Sequence, residues 1–217
     1  MNYHWNWAIF WETSPDGVHT YLQTLLMGTG WTLLTAAFAF IIALTSGSLI
    51  GVIRTSPFGF AAQIGDIDVE LFRNIPLLVQ MFLWYFVVPE LVPRNFGNWL
   101  KQLPNASFYT AVVALGLYMS ARIAEQVRAG VLSLPRGQRQ AGLALGLTLP
   151  QTYLYVLLPM AYRIIMPPLT SELLNTIKNS AVALTIGLME LTARARAMQE
   201  YSFQVFEAFT EIGRAHV

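Results

Sequence analysis

Four long runs of apolar residues, separated by shorter polar stretches, dominate the chain. The runs cover residues 33–53, 74–89, 102–121 and 167–189. A helix needs about 20 predominantly apolar residues to cross the hydrocarbon layer of a membrane. The pattern therefore predicts an all-α integral membrane protein with four spans.

Composition agrees with a membrane protein and excludes several other classes. Of the 217 residues, 55% are hydrophobic and only 12% are charged, which is too apolar for an ordinary soluble domain. The formal net charge of +1 gives no support to nucleic-acid binding. Because the chain has no cysteine, disulfides, cysteine-ligated zinc and iron–sulfur sites are excluded together.

Basic residues in the loops predict the orientation of the spans. The N-terminal segment, residues 1–27, contains no lysine or arginine. The region after the third run is rich in arginine, with Arg122, Arg128, Arg136, Arg139 and Arg163. Since cytoplasmic loops carry the excess of basic residues, this region is predicted to be cytoplasmic and the N-terminus to lie outside.

Residues 140–162 form a fifth apolar stretch, which carries no charge but contains two glycines and two prolines. If it crossed the membrane, Arg139 and Arg163 would lie on opposite sides. Each proline also removes a backbone donor and kinks a helix. We therefore expect two short helices at the cytoplasmic face, with a break near Pro150.

The same stretch carries a spaced motif. Gln140-Ala141-Gly142 is followed after three residues by Gly146, and after nine more by Val156-Leu157-Leu158-Pro159. This resembles the loop of permease subunits of binding-protein-dependent ABC importers, whose pattern is Glu-Ala-Ala, three residues, Gly, nine residues, Ile, one residue, Leu-Pro. The chain departs from that pattern at Gln140, where the family prefers glutamate, and at Gly142, where it prefers alanine.

The resemblance extends beyond this loop. "LFRNIPLLVQ" at residues 71–80, "EQVRAGVLSLPRGQ" at 125–138 and "PPLTSELLNTIKNSAVALTIGL" at 167–188 are similar to the polar-amino-acid branch of these permeases, and closest to glutamate/aspartate permeases. The resemblance implies a type I ABC importer transmembrane domain in a bacterial inner membrane, with five spans. Besides membrane lipid, it implies three protein partners, namely a second permease subunit, a dimer of ATP-binding subunits and a periplasmic solute-binding protein. ATP and Mg would be bound by the ATPase, with no cofactor in this chain.

The resemblance further implies that residues 138–159 couple the permease to the ATPase. The candidate coupling residues are Gln138, Gln140, Ala141, Gly142, Leu143, Gly146, Leu158 and Pro159. On a helix, Ala141, Gly142 and Gly146 would leave one face without bulk, and Leu143 and Leu147 would form an apolar ridge. A packed interfacial helix without a coupling role is the alternative.

Polar residues within the spans are candidates for the substrate path. Ser171, Asn175, Lys178 and Thr185 share one stripe at helical spacing, together with Val182. A charged residue inside a span must pair, snorkel or face water. Lys178 could attract the carboxylate of an acidic substrate, or it could serve helix packing or gating. Gln80 could face the same path or hydrogen-bond a neighbouring helix.

Two spacings predict packing and not chemistry. Gly47 and Gly51 form a small-xxx-small pair that lets a second helix approach closely. Arg122, Glu125 and Arg128 are three residues apart, so that Glu125 can pair with either arginine on a helix surface.

Rival functions lack their sequence features. A secondary carrier or a channel without an ATPase is the alternative to an importer subunit, but no internal repeat is visible in the sequence. His-Glu-x-x-His and Gly-x-Ser-x-Gly patterns of hydrolases do not occur. The phosphate-binding loop of ATPases is also missing, so that any ATP hydrolysis belongs to a partner.

The final residues depart from the apolar pattern. "EIGRAHV" can be encoded by the start of a common sequencing adapter, so that residues 212–217 and most of the codon of Glu211 are expected to be read-through. We therefore expect a permease domain at residues 28–210 that is truncated before its fifth span, followed by an artefact at 211–217. Different codons in the coding DNA would refute this.

Overall fold

The computed structural model describes residues 3–216, and all its named elements are helices. The α-helices are α1 (Tyr21–Ile53), α2 (Gly59–Asn74), α3 (Leu77–Phe82), α4 (Val88–Leu91), α5 (Arg94–Gln102), α6 (Ala106–Leu132), α7 (Arg136–Ala144), α8 (Leu149–Thr152), α9 (Leu158–Asn179), α10 (Leu191–Ser202) and α11 (Val205–His216). Short 3₁₀ helices cover Trp7–Trp11 and Ser180–Ile186, and π-helical segments cover Leu83–Val87 and Tyr153–Leu157. The all-α fold predicted from the sequence is confirmed. Met1, Asn2 and Val217, which fall in the predicted external segment and the predicted adapter-derived segment, lie outside the described residues.

Two described helices, α1 and α6, are long and apolar enough to cross a membrane. A third candidate arises if α2 and the helical run after Pro76 are counted as one interrupted span. The fourth predicted span, residues 167–189, is not among these candidates. It falls in α9 and the following 3₁₀ helix, and the charged residues of α9 lower its hydropathy. That span stays a prediction.

Both π-helical segments precede a proline. Leu83–Val87 is followed two residues later by Pro89, and Tyr153–Leu157 is followed in the same way by Pro159. A proline lacks the backbone N–H and its ring collides with the carbonyl four residues earlier. A π turn widens the helix at that point, so the chain passes each proline without ending the helix.

The chain divides into two compact units. The first is made of the described residues within Met1–Phe38, Leu77–Ala114 and Thr176–Val217. Its core is a cluster from the N-terminal segment, the start of α1 and helices α10 and α11. The cluster consists of Ile9, Tyr21, Leu25, Leu191, Ala195, Met198 and Ala208.

The second unit comprises Ala39–Pro76 and Leu115–Asn175. In it, α1 packs closely against α6 at the predicted small-xxx-small pair. A Cβ at Gly47 would lie 2.6 Å from the carbonyl oxygen of Ser120, and one at Gly51 would lie 2.8 Å from that of Ala124. The prediction of close helix packing at these two glycines is confirmed.

Candidate functional site: a capped helix and its base

The first helix of the predicted coupling segment is α7. Pro135 precedes its first turn, and the helix covers Arg136–Ala144. Gln140 and Ala141 are exposed, Gln138 is half-buried, and Leu143 keeps 43% of its surface exposed. α7 therefore presents a mixed polar and apolar surface that nothing else in the second unit covers.

Gly146 ends α7 and does not lie on its face. Its φ of +82° is left-handed, and its N–H donates to the carbonyl oxygen of Leu143 at 3.0 Å. The N–H of Leu147 donates to the carbonyl oxygen of Gly142 at 3.2 Å. These two bonds form a Schellman motif, in which glycine is favoured because left-handed backbone strains other residues. The predicted role of Gly146 in a bare helix face, and of Leu147 in an apolar ridge, was wrong for this reason.

The break between the two helices covers residues 145–148, close to Pro150 as predicted, and its turn is made at Gly146. Thr148 caps the next helix, because its hydroxyl accepts from the N–H of Gln151 while the Gln151 side chain accepts from the N–H of Thr148. Pro150 stands in the first turn, where a missing N–H has no cost. The second predicted short helix is in fact the beginning of one helical run that continues from Leu149 through α9.

Gly142 points inward, against Thr152. A Cβ at Gly142 would lie 2.7 Å from Cγ2 of Thr152, a residue that is completely buried. The predicted face of small residues is therefore not one surface. Ala141 is exposed, whereas Gly142 is buried against Thr152. The departure from the family's alanine has a local reason, because the β-branched Thr152 occupies the space of that methyl group.

We predict that Gly142→Ala lowers the free energy of unfolding by about 1–3 kcal/mol, the usual cost of overpacking. Thr152→Ser should relieve this, because it removes Cγ2 and keeps the hydroxyl bond that Thr152 donates to the carbonyl oxygen of Thr148 at 3.0 Å. The melting temperatures of both single variants and the double variant measure the coupling. Strictly additive effects would contradict the proposed contact.

A hydrophobic cluster next to α7 forms what we call the base of the site. It consists of Val131, Leu134, Tyr153, Leu157 and Ala161, with Leu158 packed against it. The hydroxyl of Tyr153 donates to the carbonyl oxygen of Thr55 at 2.7 Å, which ties the helical run to the end of α1. Pro159 is exposed beside this base.

A cavity of about 590 Å³ lies between α7 and this base. Leu143, Arg139 and Gln140 line it from α7, and Thr55 and Tyr153 line it from the base. The cavity between α7 and the base is thus open and has both polar and apolar lining residues.

Glu125 has partners other than those predicted. Its Oε1 lies 3.0 Å from Nη2 of Arg54 and 3.2 Å from Nη1 of Arg73, within the described residues. Burial alone would lower the pKa of the Arg54 guanidinium, but hydrogen bonds to Asp66 and Glu125 outweigh it and hold that pKa above its ordinary value. The predicted pairing of Glu125 with Arg122 or Arg128 was wrong, because Arg54, directly after α1, and Arg73 of α2 form the ion pairs with Glu125.

Arg122 pairs instead with Glu172 of α9. Its Nε donates to Oε2 of Glu172 at 2.9 Å and its Nη2 to Oε1 at 3.3 Å. Gln126 and Asn175 also donate to this carboxylate, at 3.0 and 3.5 Å. The side chain of Glu172 is only 8% exposed, whereas that of Arg122 is 44% exposed. This network supplies the buried Glu172 carboxylate with a cation and with hydrogen-bond donors. It also joins α9 to α6 within the second unit.

The candidate path residues have different environments. Ser171 is exposed, and Asn175 is half-buried. Lys178 is exposed in the last turn of α9 and forms no ion pair with any described residue. Gln80 is 2% exposed on α3, which agrees better with packing than with a path.

Thr185 falls outside the predicted stripe. It lies in the 3₁₀ helix Ser180–Ile186, and its hydroxyl donates to the carbonyl oxygen of Val182 at 2.7 Å. Each 3₁₀ residue turns about 120° and each α-helical residue about 100°, so that Thr185 is displaced roughly a quarter turn from the direction of Lys178. The sequence pattern assumed one regular α-helix, which is why it placed these residues together.

Sequence reasoning missed the most exposed apolar residue of the turn. Leu145 is 82% exposed at the C-cap of α7. The glycine that follows it could have revealed this, since the C-cap before a left-handed glycine projects at the end of a helix. Leu143 and Leu145 together form the exposed apolar surface of the segment.

Comparison with known proteins identifies the family. The protein-family model described as "Binding-protein-dependent transport system inner membrane component" matches residues 43–212 of the chain. The chain belongs to this family of transport permeases and is a multi-pass membrane protein. The resemblance stated from the motif is thereby confirmed.

Individual relatives are named as amino-acid permeases. The chain is 50% identical to the glutamate/aspartate import permease protein GltJ of Escherichia coli K12, over 100% of this chain and 89% of the relative. It is 32% identical to the probable amino-acid ABC transporter permease protein PatM of Vibrio harveyi, over 88% of this chain and 82% of the relative. It is 31% identical to the glutamine transport system permease protein GlnP of Escherichia coli K12, over 95% and 87% of the two chains. These relatives are transport subunits and not enzymes.

Solved structures agree. An amino acid ABC transporter crystallised with histidines has a TM-score of 0.74 at 28% identity, covering 90% of this chain and 87% of that chain. The MetNI methionine ABC transporter has a TM-score of 0.58 at 20% identity, covering 94% and 100%, which concerns the fold alone. The chain therefore has the fold of a type I importer permease.

Proposed function

We propose that the chain is the permease subunit of an ATP-driven importer of glutamate and aspartate. The 50% identical relative is named for these substrates, and more distant relatives are named for glutamine or for amino acids in general. An amino acid is thus the substrate class common to all these names, and the amino acids that they specify, glutamate, aspartate and glutamine, are polar. Residues 28–210 supply the transport domain.

The proposed assembly contains a second permease subunit, a dimer of ATP-binding subunits and a periplasmic solute-binding protein. ATP and Mg are bound in the ATPase, and this chain contributes to the path through the bilayer and to the contact with the ATPase. The arginine-rich region that contains α7 faces the cytoplasm, and the N-terminus lies outside. Such an arrangement places α7 on the same side as the ATPase.

The observation that carries this proposal is the exposed surface of α7 on its rigid support. Leu143 and Leu145 are 43% and 82% exposed, so that α7 has apolar side chains available for a contact with a partner. The Schellman motif at Gly146 and the capping box at Thr148 fix the turn that joins α7 to the run leading into α9. A contact made by α7 is therefore transmitted along a helix into the transport domain.

Reconstitution tests the proposal directly. The permease pair is placed in proteoliposomes with or without the ATP-binding subunit, and uptake of radiolabelled glutamate is measured with the binding protein outside. We expect uptake only when the ATPase and internal ATP are both present. Uptake by the permease alone, driven by an ion gradient, would instead identify a secondary carrier.

Lys178 is proposed to attract the substrate carboxylate. A charge-assisted hydrogen bond contributes about 1.5–3 kcal/mol, so Lys178→Met should raise the substrate concentration for half-maximal ATPase stimulation by about tenfold or more. Lys178→Arg keeps the charge and should change it much less. An unchanged half-saturation in Lys178→Met, with intact assembly, would leave Lys178 a packing or gating residue.

A further inference from the structure

A groove of about 410 Å³ lies beside α5, entirely within the first unit. The helical run Leu77–Leu91, α5 and the first turns of α6 form its walls. Its lining is mostly aromatic and aliphatic, with Trp84, Tyr85 and Leu100 among the residues. Glu90 and Lys101 are the charged residues that line it.

Helix α5 has one strongly apolar face. Phe96, Trp99 and Leu100 follow the i, i+3, i+4 spacing of a single stripe, and Leu103 follows directly after the helix. This stripe is only partly covered, because Phe96 is 49% exposed and Trp99 is 53% exposed. Their rings stack with centroids 5.4 Å apart, so that they present one continuous aromatic surface.

The position of α5 in the chain specifies what covers this face. Only residues 103–105 join α5 to α6, and three extended residues reach roughly 10 Å. Since α6 is long and apolar enough to cross a membrane, this short link keeps α5 close to one end of that candidate span. A short amphipathic helix with exposed tryptophan and nearby basic residues is typical of the lipid headgroup region.

The charged residues of the groove suit a phospholipid. Lys101 and Glu90 form an ion pair whose side chains are 44% and 68% exposed. Such exposed pairs contribute little, so the Lys101 ammonium can turn to a phosphate without a large loss. Apart from Glu90 and Lys101, the polar side-chain groups of the lining are the Trp84 indole N–H, the hydroxyls of Tyr85 and Tyr109, and the hydroxyl of Thr110, and the other lining residues are apolar.

We propose that this groove is a phospholipid site. One acyl chain occupies the apolar groove, the phosphate lies beside Lys101, and Phe96 and Trp99 lie in the surrounding lipid. The site is independent of the transported solute. It would anchor α5 to the leaflet that surrounds the start of α6.

Tryptophan quenching tests the site in the full chain. The protein is placed in nanodiscs of phosphatidylcholine with or without bromine on the acyl chains, since bromine quenches tryptophan on contact. Subtracting the emission of Trp84→Phe or Trp99→Phe from that of the original chain isolates each tryptophan. We expect brominated lipid to remove most of the emission of both, and acrylamide in the water to affect them weakly.

A matched pair of variants separates the groove from the surrounding lipid. Ala106→Phe places a ring in the groove, whereas Ser107→Phe places the same ring on the neighbouring residue, which does not line it. Ala106→Phe should protect Trp84 from brominated lipid and leave Trp99 quenched. Ser107→Phe should leave both quenched.

Three results would overturn the proposal. If Trp84 responds to acrylamide and not to brominated lipid, the groove holds water. If only Trp99 responds to brominated lipid, the helix touches the bilayer but the groove holds no chain. If neither responds to either quencher, a protein surface covers this face.

Discussion

Gly47→Leu is expected to leave almost no correctly folded chain. The Cβ alone would lie 2.6 Å from the carbonyl oxygen of Ser120 and 2.9 Å from Cβ of Ile123, and backbone of a packed helix cannot move aside cheaply. Gly47→Ala already adds overpacking of about 1–3 kcal/mol, and leucine adds three further carbons. The yield of monodisperse protein and its melting temperature in detergent measure the effect.

Gly30 is the matched control on the same helix. It is exposed, and nothing lies within 4 Å of a Cβ built on it. Gly30→Ala should be neutral or stabilising by up to about 1 kcal/mol, because alanine is the better helix former. If Gly30 and Gly47 variants lose equal stability, the close contact between α1 and α6 is not the cause.

The second large effect is expected at the ion pair of Arg122 and Glu172. Arg122→Met should lower the free energy of unfolding by about 2–4 kcal/mol, since it leaves a buried carboxylate without its cation. Glu172→Leu should cost less, because the half-exposed Arg122 can then turn to water. Melting temperatures of the two single variants measure this asymmetry.

The double variant Arg122→Met with Glu172→Leu provides the control. Replacing both members of a buried pair by apolar residues is often nearly neutral, so the double variant should be more stable than Arg122→Met alone. A double variant as unstable as the sum of the two single variants would show that the pair is not the source of the effect. Glutamate uptake in the double variant then reports whether the charges also matter for transport.

The sequence predicted the helical class, the packing of Gly47 and the family motif, because each depends on local composition or on fixed spacing. It predicted a break near Pro150 but not the turn at Gly146 that makes it. Gly146 was singled out by its spacing, whereas its left-handed backbone depends on the bonds that close the Schellman motif. Pro150 looked like a helix breaker, although in the first turn a proline is harmless.

Side-chain pairing was the least predictable feature. Glu125 had two arginines at helical spacing on its own helix, yet Arg54, directly after α1, and Arg73 of α2 reach it. Arg122 turns to Glu172 because a buried carboxylate gains more from a cation than an exposed one does. Such choices depend on which helices become neighbours, and spacing along one helix does not contain that information. Thr185 was placed on the wrong stripe because the sequence pattern does not show where the α-helix changes to a 3₁₀ helix.

Thiol labelling at Leu145 tests the central claim most directly. Because the chain has no cysteine, Leu145→Cys gives a single thiol at a site that is 82% exposed, and Leu91→Cys, at 78% exposure, is its control. Maleimide labelling is measured in membranes prepared with and without the ATP-binding subunit. The coupling role of α7 predicts that the ATPase slows labelling at position 145 and leaves it unchanged at position 91. Equal labelling of position 145 in both membranes, with the complex assembled, would contradict it.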